Sequence, residues 1–512
     1  MSQTATANPD VLQDVAIPSK GHPKGLYVLF ATEMWERYNY YGMRAILILF
    51  MTKVLLFDKA FASNLYGSYT SLVYLTPLVG GYISDRYWGN QRSIILGGLV
   101  MAIGEFVLFF CASLYKSAPE ISSVLFFTGL GLMIAGNGFF KPNISSMVGQ
   151  LYPKGDRRKD AAYTIFYMGI NVGGAIGPIV CGWAAKYDFK WAFLVAGIGM
   201  LLSVVVQRIF QSKYVKSPEG KPLGEVPANS PKAFSNPVYI VVGLLLFSAV
   251  LIGMLYIDAN VFSYLTYLLI ASVLFIAFVI FSDKSLNKIE RQRIGVIFIV
   301  AFFVIFFWSA FEQAGASLTF FADEQTQRDL GFFEVPAAWF QSLNSIFVVA
   351  FAPLFAWFWL KLGKREPTSP FKMAIGLALL ALGYLWIAFG VKDVQPGVKV
   401  SMIWLTGMYA LHTWGELSLS PIGLSLVNKL APFKFASLLM AVWFLANAAA
   451  NKLAGVLSAL YPEKGKVTEF LGYKMANLYD FFMLFVVMAG VAALILFFLT
   501  KKLKQMMHVN EA

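Results

Sequence analysis

Apolar stretches long enough to cross a bilayer as helices recur along almost the whole chain, separated by short polar joints. They lie near 24–56, 62–84, 91–114, 120–150, 160–185, 190–212, 236–257, 259–282, 294–321, 335–360, 373–391, 400–428, 435–460 and 475–500. The pattern predicts fourteen spans, and an even number returns both termini to one side. The first residues are polar, with Pro9, Pro18 and Pro23 and no short apolar core before a small-residue cleavage site. They read as an uncleaved cytoplasmic tail, not as a signal peptide.

Composition agrees with this pattern. Of 512 residues 58% are hydrophobic, 16% aromatic and 13% charged, whereas a soluble chain carries about 25% charged residues. Disorder is excluded by the same numbers. Cys111 and Cys181 both fall in apolar stretches and build no disulfide framework. Of the 41 lysines and arginines, twenty-five fall on the side shared with the termini, eleven on the other and five within spans. The positive-inside rule therefore predicts a multi-pass protein of the cytoplasmic (inner) membrane with both termini cytoplasmic. That bias accounts for the net charge of +13 and leaves a nucleic-acid partner without support.

The chain also repeats itself at an offset near 276. Trp35, Tyr38 and Gly42 in MWERYNYYG align with Trp308, Phe311 and Gly315 in FWSAFEQAG. Pro77-Leu78 aligns with Pro353-Leu354, the stretch Gly136 to Pro153 with Gly415 to Pro432, and FYMGIN ending at Asn171 with VWFLAN ending at Asn447. Four matches in one order predict two six-span halves in the same orientation, with spans 236–282 inserted between them. This is the parallel-repeat plan of major facilitator transporters, whose solute site lies between the halves. The expected partition is a tail over 1–23, a first bundle over 24–212, linkers with two extra helices over 213–293, a second bundle over 294–500 and a tail over 501–512. The turn SDRYWGNQR resembles that superfamily's loop signature through Asp85, Arg86 and Arg92, with Asp85 expected to accept from Arg92 and from helix N–H groups.

Ionised side chains are costly in a bilayer, about 2.5–3.5 kcal/mol each at mid-span on insertion scales. The first span nevertheless carries Glu33, Glu36, Arg37, Tyr40, Tyr41 and Arg44 on one helical face. Such a stripe is expected to line a wet cavity; a static ion-pair cluster is the plainer alternative. Span four adds Asn137 and Lys141, span five Tyr163, Tyr167 and Asn171, span nine Glu312 and Gln313, and span twelve His412, Glu416 and Ser420. The repeat sets Asn137 against Glu416 and Lys141 against Ser420, so a cation in one half faces an anion in the other. A basic half suits a carboxylate and an acidic half an ammonium, which together would select a zwitterion. Tyr40, Tyr41, Tyr74, Tyr167, Trp308 and Trp443 would accept varied side chains by stacking, although Trp308, Trp443 and Tyr74 also read as packing, and Asn344 as a polar tie between spans.

EMWERYNYYGMR resembles the E-x-x-E-R-[F/Y]-x-Y-Y motif of the proton-coupled oligopeptide transporter (POT) family, intact at Glu33, Glu36, Arg37, Tyr40 and Tyr41. DAAYTIFYMGINVGG, GNGFFKPNIS and GELSLSPIGLSLV are similar to further patterns of that family, and the inserted spans resemble those of its bacterial fourteen-helix members. The resemblance implies an all-α membrane protein of the major facilitator fold, with fourteen transmembrane helices, that carries di- and tripeptides with the proton as coupling ion and needs no cofactor. It further implies that Arg37, Arg44 and Lys141 handle the peptide carboxylate and that Glu416 takes the amino terminus. Tyr41, Tyr74, Tyr167, Asn171, Trp308, Asn344, Ser420 and Trp443 would line the pocket. Glu33 and Glu36 would couple protons through Arg37 and Lys141, and Arg44 would pair with Glu312 as an outer gate. The family's mammalian branch has a histidine in span two; here there is none, so coupling falls to carboxylates.

Two other functions compete. One is a carrier of the same fold for another anion or zwitterion, such as nitrate or an amino acid. The other is a membrane-embedded transferase, which would need a juxtamembrane Asp/His cluster or a large soluble domain; the longest loop, 213–235, is short and basic. No metal-ligand cluster, phosphate-cradling loop or nucleophile elbow occurs in the sequence, so an enzyme is not expected, and a monomer in the bilayer is. His412 reads as an incidental helix-end residue. Glu105 and Lys452 are intramembrane charges to which the sequence gives no role, and the inserted helices, apolar but for Asp258, read as peripheral.

Overall fold

The computed structural model describes residues 21–508 except 154, 229, 232–235, 261–263, 396 and 464–465; the side chains of 237, 259, 260, 364 and 420–425 also lie outside the described set. A backbone in hydrocarbon must satisfy its own polar groups, and this one does so as helix. The first bundle comprises α1 (Lys24–Lys53), α2 (Lys59–Ile83), α3 (Asn90–Leu114), α4 (Pro119–Gln150), α5 (Arg158–Ala185) and α6 (Phe189–Tyr214). The inserted pair is α7 (Pro237–Asn260) and α8 (Tyr264–Phe281). The second bundle comprises α9 (Lys288–Phe311) continued by α10 (Ser317–Glu324), then α11 (Ser342–Leu362), α12 (Ser369–Val391), α13 (Met402–Leu430), α14 (Ala436–Ser458) and α15 (Leu478–Met507).

Every predicted span has its helix. Among the described residues, eleven helical segments are both long and apolar enough to cross a membrane. The exceptions, α1, α2 and α13, are long enough but too polar, and α1 and α13 hold most of the charges singled out above. One detail differs from the prediction. The ninth span is not one helix: a 3-10 turn, Glu312–Gly315, interrupts it between α9 and α10. The predicted span at 120–150 is one helix, α4, running through Pro142 without a break.

The repeat is real in three dimensions. In the first bundle α1 packs on α5 and α6, α3 on α4 and α6, and α2 on α4; in the second, α9 packs on α14 and α15, α12 on α13 and α15, and α11 on α13. Aligned residues play aligned parts. Asn171 donates to Tyr167 O and Asn447 to Trp443 O, each at 2.9 Å. Small residues let the helices close up: a Cβ on Gly177 would lie 2.4 Å from Tyr38 O, and one on Gly80 only 2.0 Å from Gly138 O.

The bundles meet chiefly at the end opposite the termini. There α2 lies along α14 and the upper part of α5 along the start of α11. Ser458 donates to Ser63 at 3.0 Å, Ser342 to Ala175 O at 2.8 Å and Trp339 to Ile179 O at 2.9 Å. Ion pairs Lys53–Asp323 and Lys59–Glu324, both 2.6 Å, join the same end. Lys141 and Tyr167, nearer the terminal side, stay part exposed, so the space between the bundles opens toward the termini. On that side the loop after α6 docks on α3, with Gln91 N–H reaching Gly224 O at 2.9 Å. Gly89, at φ +74°, makes the turn into α3, and a Cβ there would meet Glu225 O at 2.4 Å. The expected Asp85–Arg92 contact is absent: Asp85 is exposed, no ion pair joins the two among the described residues, and Arg92 Nη1 has no partner. A π-helical turn over Ser84–Trp88 swings Asp85 outward, and Arg86 lies over the Tyr82 ring.

Candidate functional site

Four of the six polar residues on the α1 face are charged, and all four are buried, with Glu33 and Glu36 fully so. Arg37 folds back on Glu36, with Nε to Oε2 at 2.5 Å and Nη2 to Oε1 at 2.9 Å, and its Nε also lies 3.2 Å from Glu33 Oε1. Lys141 reaches across from α4 to that same Glu33 oxygen at 2.6 Å, and Asn137, one turn earlier, donates to Glu36 at 3.3 Å. Two cations therefore share one oxygen of Glu33, while its other oxygen has no hydrogen-bond partner. Buried charges of this kind persist only when paired and hydrogen-bonded. The Arg37 guanidinium also lies over the rings of Tyr40 and Tyr41, 5.2 and 5.8 Å from their centres.

Two turns on, Arg44 crosses to the second bundle. Its Nη2 pairs with Glu312 Oε2 and its Nε donates to Tyr66 Oη at 2.5 Å. The 3-10 turn allows this, because Gly315 offers a bare backbone: a Cβ there would lie 1.7 Å from Tyr66 Oη and 3.1 Å from Arg44 Nε. Its repeat counterpart Gly42 is equally constrained, with a Cβ falling 2.6 Å from Cys181 Sγ.

The second bundle presents a different chemistry. Glu416, on α13 and 8% exposed, accepts from Asn344 of α11 at 2.7 Å, and Asn344 also donates to Thr413 at 3.2 Å. Among the described residues no cation pairs with Glu416. Asn344 belongs beside α5, since its neighbour Ser345 lies 2.5 Å from where a Cβ of Gly174 would be, with the Tyr41 ring at 3.2 Å from the same point. Asn171 is buried one turn before Gly174. Tyr74 and Trp308 are half-buried, Trp443 is buried and Tyr167 is part exposed. The side chain of Ser420 lies outside the described residues.

The arrangement is thus a cluster of balanced charge on one bundle and an unbalanced carboxylate on the other, with aromatic and amide side chains between. A family model described as the POT family matches residues 91–475. The chain belongs to the POT family. It is a transporter family, and this member shares its two-bundle architecture. An uncharacterized transporter of Bacillus subtilis (strain 168) is 36% identical over 461 residues, covering 87% of this chain and 90% of the relative. A di-/tripeptide transporter of Lactococcus lactis subsp. cremoris is 33% identical over 462 residues, covering 86% and 90%. A crystal structure of a peptide transporter in complex with sulfate superposes with a TM-score of 0.81 at 34% identity, over 96% of this chain and 97% of that one. Another POT-family transporter, crystallised with 5-aminolevulinic acid, superposes with a TM-score of 0.79 at 31% identity, over 95% and 99%.

Several groups in this POT-family carrier were not legible as partners. Tyr66 lies eight residues before Tyr74 on one helical face, which is a signal that could have flagged it. Thr413 carried none. His412 is not at a helix end: it lies in the interior of α13, its ring 4.7 Å from that of Tyr384, and its Nε2 has no partner. Glu105 accepts from Asn39 at 2.8 Å, inside the first bundle and away from the Arg37 cluster.

Proposed function

We propose that this carrier imports di- and tripeptides together with protons by alternating access, and that the two bundles, 24–212 and 294–500, rock about the space between them. All fourteen long helices cross the membrane in this reading. The lysine and arginine bias supports cytoplasmic termini in the inner membrane, so the present form opens to the cytoplasm. It works as a monomer in the bilayer.

The observation that carries the reading is the Glu416 carboxylate, which no cation pairs among the described residues, facing a cluster in which Glu33 and Glu36 are paired with Arg37 and Lys141. A peptide's ammonium would supply the missing cation, and its carboxylate would go to Arg37, Arg44 and Lys141. Those cations are engaged in the empty carrier. A proton on Glu33 removes the anion that holds Lys141, and a proton on Glu36 removes the main partner of Arg37, so protonation of either carboxylate loosens the hold on the two cations. Arg44 with Glu312 closes the outer side, and Tyr41, Tyr74, Tyr167, Asn171, Trp308, Asn344, Ser420 and Trp443 form the walls. Neutral carboxyls in a desolvated site are the physical basis for coupling without a histidine.

Uptake of a labelled dipeptide into proteoliposomes, with and without an inward proton gradient, tests this. Gradient-driven uptake competed by di- and tripeptides but not by free amino acids is expected. If Glu33→Gln and Glu36→Gln both left gradient-driven uptake intact, the coupling scheme would fall. A second reading, a carrier of a single small zwitterion, is favoured by the neighbour crystallised with 5-aminolevulinic acid; strong competition by such a molecule and none by dipeptides would select it.

A further inference from the structure

The inserted helices are not peripheral. α7 packs on α2 and α4 of the first bundle, whereas α8 packs on α14 of the second. Ile276 of α8 joins a cluster with Ala301, Val442 and Ala446, and the Phe281 ring lies 5.8 Å from that of Phe298 on α9. The hairpin thus has one leg on each bundle.

Its outer end is tied at the seam. Asp258, 1% exposed, receives Lys452 Nζ of α14 at 2.5 Å, and Lys452, 2% exposed, also donates to Ser68 Oγ of α2 at 2.8 Å. The Ser68 hydroxyl donates to the same Asp258 oxygen, and the other oxygen accepts Leu265 N–H at 2.8 Å, capping α8. One residue away, a Cβ on Gly67 would lie 2.7 Å from Gly455 Cα. The buried node therefore joins α2, α7, α8 and α14 where the two bundles touch backbone to backbone.

We propose that α7–α8 is a strap across the outer seam, and that the Ser68–Asp258–Lys452 node is whole only while α2 and α14 are in contact. Opening the outer side carries Ser68 away with the first bundle and Lys452 with the second. Asp258 can follow one of them: if it stays with the first bundle, Lys452 is left unpaired inside the membrane, which is costly, and if it goes with the second, Ser68 loses its bonds to both Asp258 and Lys452 and keeps only Asn64 O at 2.9 Å. The strap holds the empty carrier in its outer-closed form. This inference rests on the rocking proposed above but not on which solute is carried.

The test uses the full chain in liposomes without peptide or gradient. Spin labels are placed at Ser117 and Leu471, exposed on outer-side loops of different bundles. Pulsed electron-spin distances are compared with those for Ser68→Ala and for the neutral pair Asp258→Asn with Lys452→Met. The long-distance, outer-open population is expected to rise about tenfold in the neutral pair and about threefold in Ser68→Ala, as loss of a charged and of a single hydrogen bond would produce. Unchanged distances in Ser68→Ala overturn the strap, whether or not the neutral pair folds. Unchanged distances in a folded neutral pair overturn it as well.

Discussion

Gly315→Ala is the smallest change that should move this carrier between its forms. The added methyl would lie 1.7 Å from Tyr66 Oη and 2.5 Å from its Cζ, where ordinary contacts begin near twice the first distance. Tyr66 is only 1% exposed, so its rigid ring has nowhere to retreat. Overpacking of a filled site costs about 1–3 kcal/mol, and losing the hydrogen bond from charged Arg44 about 1.5–3 kcal/mol. Both penalties fall on the outer-closed form alone, because Gly315 and Tyr66 belong to different bundles and separate when the outer side opens. At about 1.4 kcal/mol per factor of ten, the open-to-closed ratio should rise at least about sixtyfold. Ser458→Cys, buried in the seam against Ser63, provides the assay through its rate of reaction with a membrane-impermeant maleimide added from outside. The rate should climb in Gly315→Ala and stay put in Gly253→Ala, where an added Cβ meets nothing within 4 Å. A folded Gly315→Ala protein that labels at the parental rate would refute the gate geometry.

Three further outcomes are expected. Glu416→Gln keeps the bond from Asn344 but loses the charge, so the KM for a dipeptide should rise about tenfold or more while an N-acetylated dipeptide, lacking the ammonium, competes equally well against both forms. Glu105→Gln preserves an acceptor for Asn39 and should leave thermal stability nearly unchanged, whereas Glu105→Leu leaves one of the two Asn39 amide N–H groups without its partner, the other staying on Ala196 O, and should lower stability by about 1–3 kcal/mol, read as a fall in melting temperature. Asp283, on a loop outside the membrane, is held below the usual carboxylate range by hydrogen bonds from Lys434 and Ser285. A depressed folded-state pKa means its contribution is present at neutral pH and lost only as pH falls through that low value. Lys434→Ala should therefore leave the pH profile of uptake unchanged between about pH 5 and pH 8; a shifted profile would make this exposed pair part of the coupling.

The helices were readable because hydrocarbon allows so few alternatives: each apolar run had to be helical, and polar joints fixed the ends to within a few residues. The α1 cluster was readable for a related reason, since Glu33, Glu36, Arg37 and Arg44 have no business in a bilayer unless matched. Identity of the matches was harder. Lys141 and Glu312 followed from the family resemblance, but Tyr66 did not, being one buried tyrosine among many. The 3-10 turn at Glu312 went unread although Glu312, Gln313 and Gly315 interrupt the apolar run there, because polar residues within a span read as a site and not as a break in the helix. Asp85 was misjudged because the contact depends on a π-turn, a local backbone choice that side-chain spacing does not encode. The hairpin was misjudged because Asp258 and Lys452 stand 194 residues apart, and nothing in two uniformly apolar helices says what they lie against.

The pairing of Arg44 with Glu312 also sets a timetable for biogenesis. The two residues are 268 positions apart, and a ribosome adding about 5–20 residues per second needs roughly 13–54 s to supply the partner. Arg37 has no such wait, since Glu33 and Glu36 emerge with it on the same helix. Tyr66 follows Arg44 by 22 positions and is available within seconds as an interim hydrogen-bond acceptor. α1 therefore enters the membrane with one cation held only by a phenol, and the nascent first bundle must shelter it until α9 arrives.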